Sequence, residues 1–218
     1  MDKTLIAGNS GVSFMRYSFH RGKTTRWKLI KSLFDYGRYR YDLINMEKAY
    51  KASLRPLIGV REEELARFCE EWFEAVVKSI IYPEAGVTVQ RHRQAGEIVA
   101  IISNAVTYTV APLGRYLGVP HVLATRLEVN GGLFTGNYVE PLCFRKGKVF
   151  WAEKFVKDLG GKLQESTFYT DSITDLPLLE RVKDPRVVNP DLKLRAVARK
   201  RGWPILSFAS PNTGGERR

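Results

Sequence analysis

Six polar residues stand where apolar, strand-like runs give out. They are Ser103 and Asn104 after EIVAII, Asp171 and Ser172 after TFYT, Asp175 four residues on, and Asn189 after RVV. A lone Ser or Asp in such a place is commonly a helix cap. Several together, with two carboxylates in TDSITD, make a different kind of set. Two carboxylates beside a hydroxyl and an amide suit a hard divalent cation and an anionic oxygen ligand. Zinc lacks its usual donors: His20, His92 and His121 do not cluster along the chain, and Cys69 and Cys143 lack the paired spacing of a zinc site. At the other end of the chain, DKTLIAGNS has the character of a loop leaving a strand, with Asp2 and Thr4 as polar groups and Gly8 as a flexible point.

These residues can meet only if their strands lie side by side in one sheet. Two regimes divide the chain near Pro83. Before it the pattern is helical: REEELARFCEEWFEAVVKSII places Leu65, Phe68, Trp72, Val76 and Ile80 at three- to four-residue spacing, with Glu62 to Glu64 near the helix start. The stretch from Phe14 to Tyr50 also reads as helices, with Trp27, Ile30 and Phe34 as core candidates and Gly37 as a break. After Pro83, strands and helices alternate. EIVAIIS is a strand, and PLGRYLG a helix with Pro112 in its first turn and Gly118 past its end. HVLAT is a strand, and a hairpin turns at Asn130-Gly131-Gly132. A helix from Lys148 to Leu159, the strand TFYTD, the helix DLPLLERV, the strand RVVN, the helix DLKLRAVARKRG and the strand WPILSF follow. That alternation predicts an α/β fold, a parallel sheet with helices on both faces, whose ligand sits beyond the carboxyl ends of the strands.

Composition bounds the rest. The 218 residues suffice for one sizeable core, and 44% hydrophobic with 27% charged residues is ordinary for a globular protein. No apolar run is long enough to span a membrane and no secretory leader is visible, so a cytoplasmic home with two buried or free thiols is expected. The net charge of +12 is uneven: from Arg16 to Arg55 there are eleven Lys or Arg against three acids, a net of +8, with aromatics interleaved as in WKLIKSLFDYGRYRY. Such a patch is either a solvated basic face or an attractor of nucleic acid, anionic lipid or a phosphorylated small molecule. No nucleic-acid-binding motif accompanies it.

The segments MDKTLIAGNSG, AIISN, CFRKGKVFW and FYTDSITDLPLLERV, in that order, resemble the phosphoserine-phosphatase-like branch of the haloacid dehalogenase superfamily. LATRLEVNGGLFTG and NPDLKLRAVARKRGWPIL match it as well, so the resemblance covers nearly the whole chain. It implies a Rossmann-like core over residues 83–209, a first-motif loop over 1–11, a helical cap over 12–82 and a loose tail over 210–218. It also implies Mg²⁺-dependent hydrolysis of a small phosphorylated metabolite. Asp2 matches the general acid and base, and Lys148 the residue that offsets charge on an aspartyl-phosphate. Thr4, Ser103, Asn104 and Lys148 are implied at the phosphate, and Asp2, Asp171 and Asp175 at the metal. On this resemblance Asp171→Asn abolishes turnover, and Lys148→Ala cuts it severely without unfolding the protein.

The first motif is incomplete in these residues. The family pattern is Asp, any residue, Asp, any residue, Thr. Asp2 and Thr4 match its later members, so the attacking Asp and the strand leading into it are expected just before Met1. The competing expectation is a catalytically inactive relative that binds an anionic partner through its basic cap.

Overall fold

The computed structural model describes residues 1–23 and 46–211. Helix α1 (Ser10–His20) starts at Asn9, whose side chain accepts from the Val12 amide at 2.9 Å. Helix α2 (Met46–Leu54) follows, then α3 (Glu62–Trp72), which carries three glutamates in its first turn, where the helix dipole favours them. Helix α4 (Pro83–Gln94) opens on proline, whose missing N–H costs nothing there. Trp27, Ile30, Phe34 and Gly37 lie outside the described residues, as does most of the tail.

From α4 onward the alternation expected from sequence is present: β1 (Ala100–Val106), α5 (Thr107–Leu117), β2 (His121–Thr125), the hairpin β3 (Leu127–Asn130) and β4 (Leu133–Tyr138), α6 (Lys146–Asp158), β5 (Thr167–Thr170), α7 (Leu176–Leu179), β6 (Asp184–Val188), α8 (Leu192–Arg201) and β7 (Ile205–Leu206). Gly131 and Gly132 both take positive φ, 57° and 78°, as a two-residue hairpin turn requires.

Two elements differ from the expected boundaries. The long helix that begins at Glu62 does not run regularly to Ile80: a π-helical turn at Phe73–Val77 and a 3-10 turn at Lys78–Ile80 close it. The wider turn rotates the apolar face, so Leu65, Cys69, Trp72, Phe73 and Val77 are buried while Phe68, Val76 and Ile80 are only half-buried. Helix α5 starts at Thr107, which places Pro112 inside it rather than in its first turn. There the proline forgoes one helical hydrogen bond.

The parallel strands form two blocks, β1–β2 and β5–β6–β7. Among the described residues no strand pairs with the second edge of β1 or of β5. Both strands are only half-buried along most of their length, whereas inner strands of a parallel sheet are normally buried on both faces. Ile102, Ser103 and Asn104 of β1 and Phe168, Tyr169 and Thr170 of β5 line one cavity of about 310 Å³. The blocks also share apolar contact, since Ile102 and Phe168 both pack on the cluster of Ala152, Leu163 and Leu178.

The largest apolar cluster gathers Ile6, Trp72, Phe73, Val77, Val110 and Leu113, tying the opening loop and the end of the long helix to α5. A second joins Leu54, Leu65 and Cys69 to Leu127, Phe134 and Tyr138 of the hairpin. Backbone bonds reinforce it: Gly59 N–H donates to the Phe134 carbonyl, Phe134 N–H to Val60, and Glu62 N–H to Gly132. Several basic groups of the described helical part face acids: Arg21 meets Glu71, Lys23 meets Glu64 and Lys51 meets Glu140. Exposed pairs of this kind contribute little stability, but they reduce the free positive charge expected from sequence.

Candidate active site

The cavity lies at the carboxyl ends of β1 and β5 and is lined by Met1, Asp2 and Lys3 of the opening loop, by Ser103 and Asn104, by Phe144 and Lys148, and by Asp171 to Asp175. The sequence-derived set thus converges, with two differences. Thr4 is buried beside the cavity rather than lining it, and reaches it through its hydroxyl. Asn189 is not among the lining residues. Its amide donates to the carbonyls of Lys3, at 3.3 Å, and Phe208, at 3.2 Å, and its side-chain oxygen accepts from the Phe208 amide. Asn189 and Lys3 both take left-handed φ, 44° and 49°, so an Asn tolerant of that conformation holds a strained turn beside Asp2.

One side of the site is held by a buried ion pair, in which Asp175 Oδ1 still accepts no hydrogen bond. Lys148 Nζ lies 2.8 Å from the Asp175 carboxylate and donates to Oδ2, and Thr170 Oγ1 donates to the same oxygen at 2.7 Å. Lys148 and Asp175 are both buried, 7% and 4% exposed, so each charge depends on the other. The sequence expectation that Lys148 could be removed without harm to the fold therefore changes: its loss would strand a buried carboxylate. Lys148 is delivered by the first turn of α6, entered through Arg145 with φ 48°. Gly147 is required in that turn, because a Cβ there would come within 1.8 Å of the Leu142 carbonyl oxygen.

The other side is unfinished. Asp2 Oδ1 is buried and has no hydrogen-bond partner among the described residues. Asp171 receives only a long 3.5 Å contact from Thr4 Oγ1. Burial pushes its carboxyl up to about 6; the Met1 ammonium and Lys148 draw it down, while Asp175 and Asp2 push it further up. The Met1 amino group is buried here too, and desolvation lowers its affinity for a proton. Among the described residues no three acids, histidines or cysteines form a ready-made ligand cluster. Of the three acids expected at a metal, Asp175 holds Lys148 and Thr170 through Oδ2 while its buried Oδ1 accepts no hydrogen bond, Asp2 Oδ1 has no partner either, and Asp171 has only the long contact from Thr4. An orphaned buried carboxylate oxygen beside a half-buried acid fits a hard divalent cation.

Sequence reasoning passed over three supporting residues. Asp191 caps α8, accepting from the Leu194 amide, and accepts from the Ile173 amide, both at 2.9 Å, while its own amide donates to the Asp171 carbonyl at 2.8 Å. The signal was available as an Asp just before an apolar-periodic segment. Thr170 and Tyr50 carry no such signal: Thr170 sits inside an apolar strand run, and Tyr50 bonds to the Asn104 carbonyl, 54 residues away. Cys69 and Cys143 are buried free thiols, pushed up by desolvation to about 12 and about 11, and are therefore poor nucleophiles.

A parallel α/β sheet thus gathers acids, a lysine and a hydroxyl at its strand ends. The sequence pattern of the haloacid dehalogenase-like hydrolases matches residues 1–180, and the chain belongs to that family. It is similar to a histidinol-phosphatase of Neisseria meningitidis, 31% identical over 214 residues that cover 95% of this chain and 96% of the relative. A solved protein of unknown function from Bordetella pertussis Tohama I superposes with a TM-score of 0.86 at 30% identity, covering 94% of this chain and 95% of that one. A substrate-bound phosphoserine phosphatase shares the fold, with a TM-score of 0.67 at 18% identity over 94% of this chain and 89% of that one. The activity class is that of a phosphatase.

Proposed function

We propose that the protein is a Mg²⁺-dependent phosphomonoester hydrolase acting on a small phosphorylated metabolite through an aspartyl-phosphate. The observation that carries this reading is the gathering of Asp2, Asp171, Asp175, Ser103 and Lys148 around one cavity, in which Asp2 Oδ1 is buried without a hydrogen-bond partner among the described residues. Asp2 and Asp171 would hold Mg²⁺, which supplies charge neutralisation for phosphoryl oxygens when bound. Ser103, Asn104 and Lys148 surround the phosphate, with Thr4 beside Asp171. Asp175 serves as the anchor of Lys148. Asp2 protonates the leaving oxygen and then takes a proton from water. Residues 12–82 act as a cap over this site.

The attacking carboxylate in this reading precedes Met1, at the end of a strand seated between β1 and β5. Support comes from the sheet: among the described residues two parallel edges have no strand partner, and both border one cavity. Three aliphatic side chains on such a strand would add roughly 5 to 9 kcal/mol of burial. The relatives make histidinol phosphate and phosphoserine the first substrates to try. The test is turnover of these esters, and of p-nitrophenyl phosphate, by the chain extended with an apolar strand ending in Asp. Mg²⁺-dependent release of phosphate is expected. No turnover of any ester by the folded, extended chain would overturn the reading.

A further inference from the structure

The β1–β2 ladder breaks where the site begins. Ser103 pairs with Ala124 and Val106 with Thr125, so two extra residues, Asn104 and Ala105, bulge from β1 between adjacent positions of β2. A bulge withdraws backbone groups from the ladder and re-aims side chains, here Ser103 and Asn104 at the cavity edge. The Asn104 carbonyl, displaced from strand pairing, accepts from two hydroxyls: Thr125 Oγ1 of β2 at 3.0 Å and Tyr50 Oη of α2 at 3.1 Å. The Ala105 amide donates to Ser103 Oγ at 3.2 Å, so the bulge also orients the serine. Thr125 is buried, and burial raises the Tyr50 phenol far above its usual range, so Tyr50 stays a neutral donor. Tyr50 reaches this point from the helical segment, where its ring meets Tyr138 edge-on at 5.6 Å and its neighbour Lys51 pairs with Glu140.

We infer that Tyr50 is a positioning residue that couples docking of α2 to the shape of the phosphate-binding bulge at Ser103 and Asn104. When α2 is seated, its hydroxyl fixes the bulge carbonyl and with it the two side chains that face the cavity. When α2 withdraws, Thr125 alone holds that carbonyl and the bulge relaxes. The inference rests on the phosphatase reading for the role of Ser103 and Asn104. It goes beyond that reading by assigning a signal between the helical segment and the site to one hydrogen bond.

The test is calorimetric titration of inorganic phosphate, with Mg²⁺ present, into the 218-residue chain and into Tyr50→Phe. Phenylalanine keeps the contact with Tyr138 and deletes only the hydroxyl. We expect phosphate affinity to fall about five- to tenfold, the worth of one such hydrogen bond, with Mg²⁺ affinity unchanged. Because Tyr50 acts through the bulge, adding Tyr50→Phe to Ser103→Ala should cost little further affinity, whereas a residue acting independently would cost its full effect again. Thr125→Val, which removes the other hydroxyl from the same carbonyl without altering α2, should weaken phosphate binding likewise and covers the case in which Tyr50→Phe fails to fold. Unchanged phosphate affinity in the folded single variants, or full additivity with Ser103→Ala, would overturn the inference alone. A 218-residue chain that binds no phosphate would overturn the inference, while the phosphatase reading stands or falls on turnover by the extended chain.

Discussion

Asp171 and Asp175 stand four residues apart just after one strand, Asp175 buried and Asp171 half-buried, and the protein treats them differently. Asp175 accepts from Lys148 and Thr170 at 2.8 and 2.7 Å, so its charge is neutralised within the fold. Asp171 has one long contact from Thr4, lies near Asp2 and Asp175, and is pushed up to about 6. A carboxylate partly withdrawn from water and left so poorly compensated is costly unless something else completes it. The comparison separates an acid paired with a buried lysine, although its Oδ1 accepts no hydrogen bond, from an acid with only a long hydroxyl contact, which with Asp2 is the one proposed to face the ligand.

The largest way to break this comparison is to remove the lysine-paired acid. Asp175→Asn leaves Lys148 charged and buried, and should cost about 3 to 5 kcal/mol in urea denaturation. Asp171→Asn should instead leave the denaturation midpoint unchanged or raised, while Mg²⁺ affinity falls about a hundredfold or more, the upper end of what losing even an outer partner does. Exchange of these two phenotypes would show that the roles had been assigned backwards.

A pH series sharpens the same contrast. The folded chain raises the Asp171 carboxyl to about 6 from an ordinary value of 3.8, so in that window it holds a proton that the unfolded chain has released. The metal-free protein therefore loses stability through this group as pH rises from about 4 to about 6, and gains it as pH falls. Mg²⁺ competes with that proton. Its stabilising shift in melting temperature should grow from about pH 5 to about pH 7.5 and be smaller in Asp171→Asn at every pH. The smallest effect is reserved for Thr170→Val, which deletes one of two donors to Asp175 and should cost about 1 kcal/mol with Mg²⁺ binding untouched.

Much of this arrangement was legible in the sequence because it rests on local chemistry. Hydrophobic alternation after Pro83, the Gly131-Gly132 turn and the glycines ending α5 and α8 give the order of strands and helices, though β1 and α5 begin several residues away from their expected starts. Ser103, Asn104, Asp171 and Asp175 could be gathered because a parallel sheet brings its carboxyl ends together, whereas Lys148, in the first turn of a helix, followed only from the family resemblance. What stayed hidden depends on partners distant along the chain or on small changes of helical phase. The π turn at Phe73–Val77 exchanges one apolar face for its neighbour without any glycine or proline to announce it. Asn189 reads as a site residue by position, yet its amide is spent on Lys3 and Phe208. Tyr50 lies 54 residues from Asn104, and only the folded chain shows the bond between them.

The most direct test of the account is a Mg²⁺ titration of the folded chain and of Asp171→Asn at neutral pH, followed by calorimetry. One saturable site in the wild type, lost in the variant while urea stability is kept or raised, is the predicted result. A wild-type chain indifferent to millimolar Mg²⁺, or a variant that binds it equally well, would contradict the assignment of Asp2 and Asp171 as the unfinished half of the site.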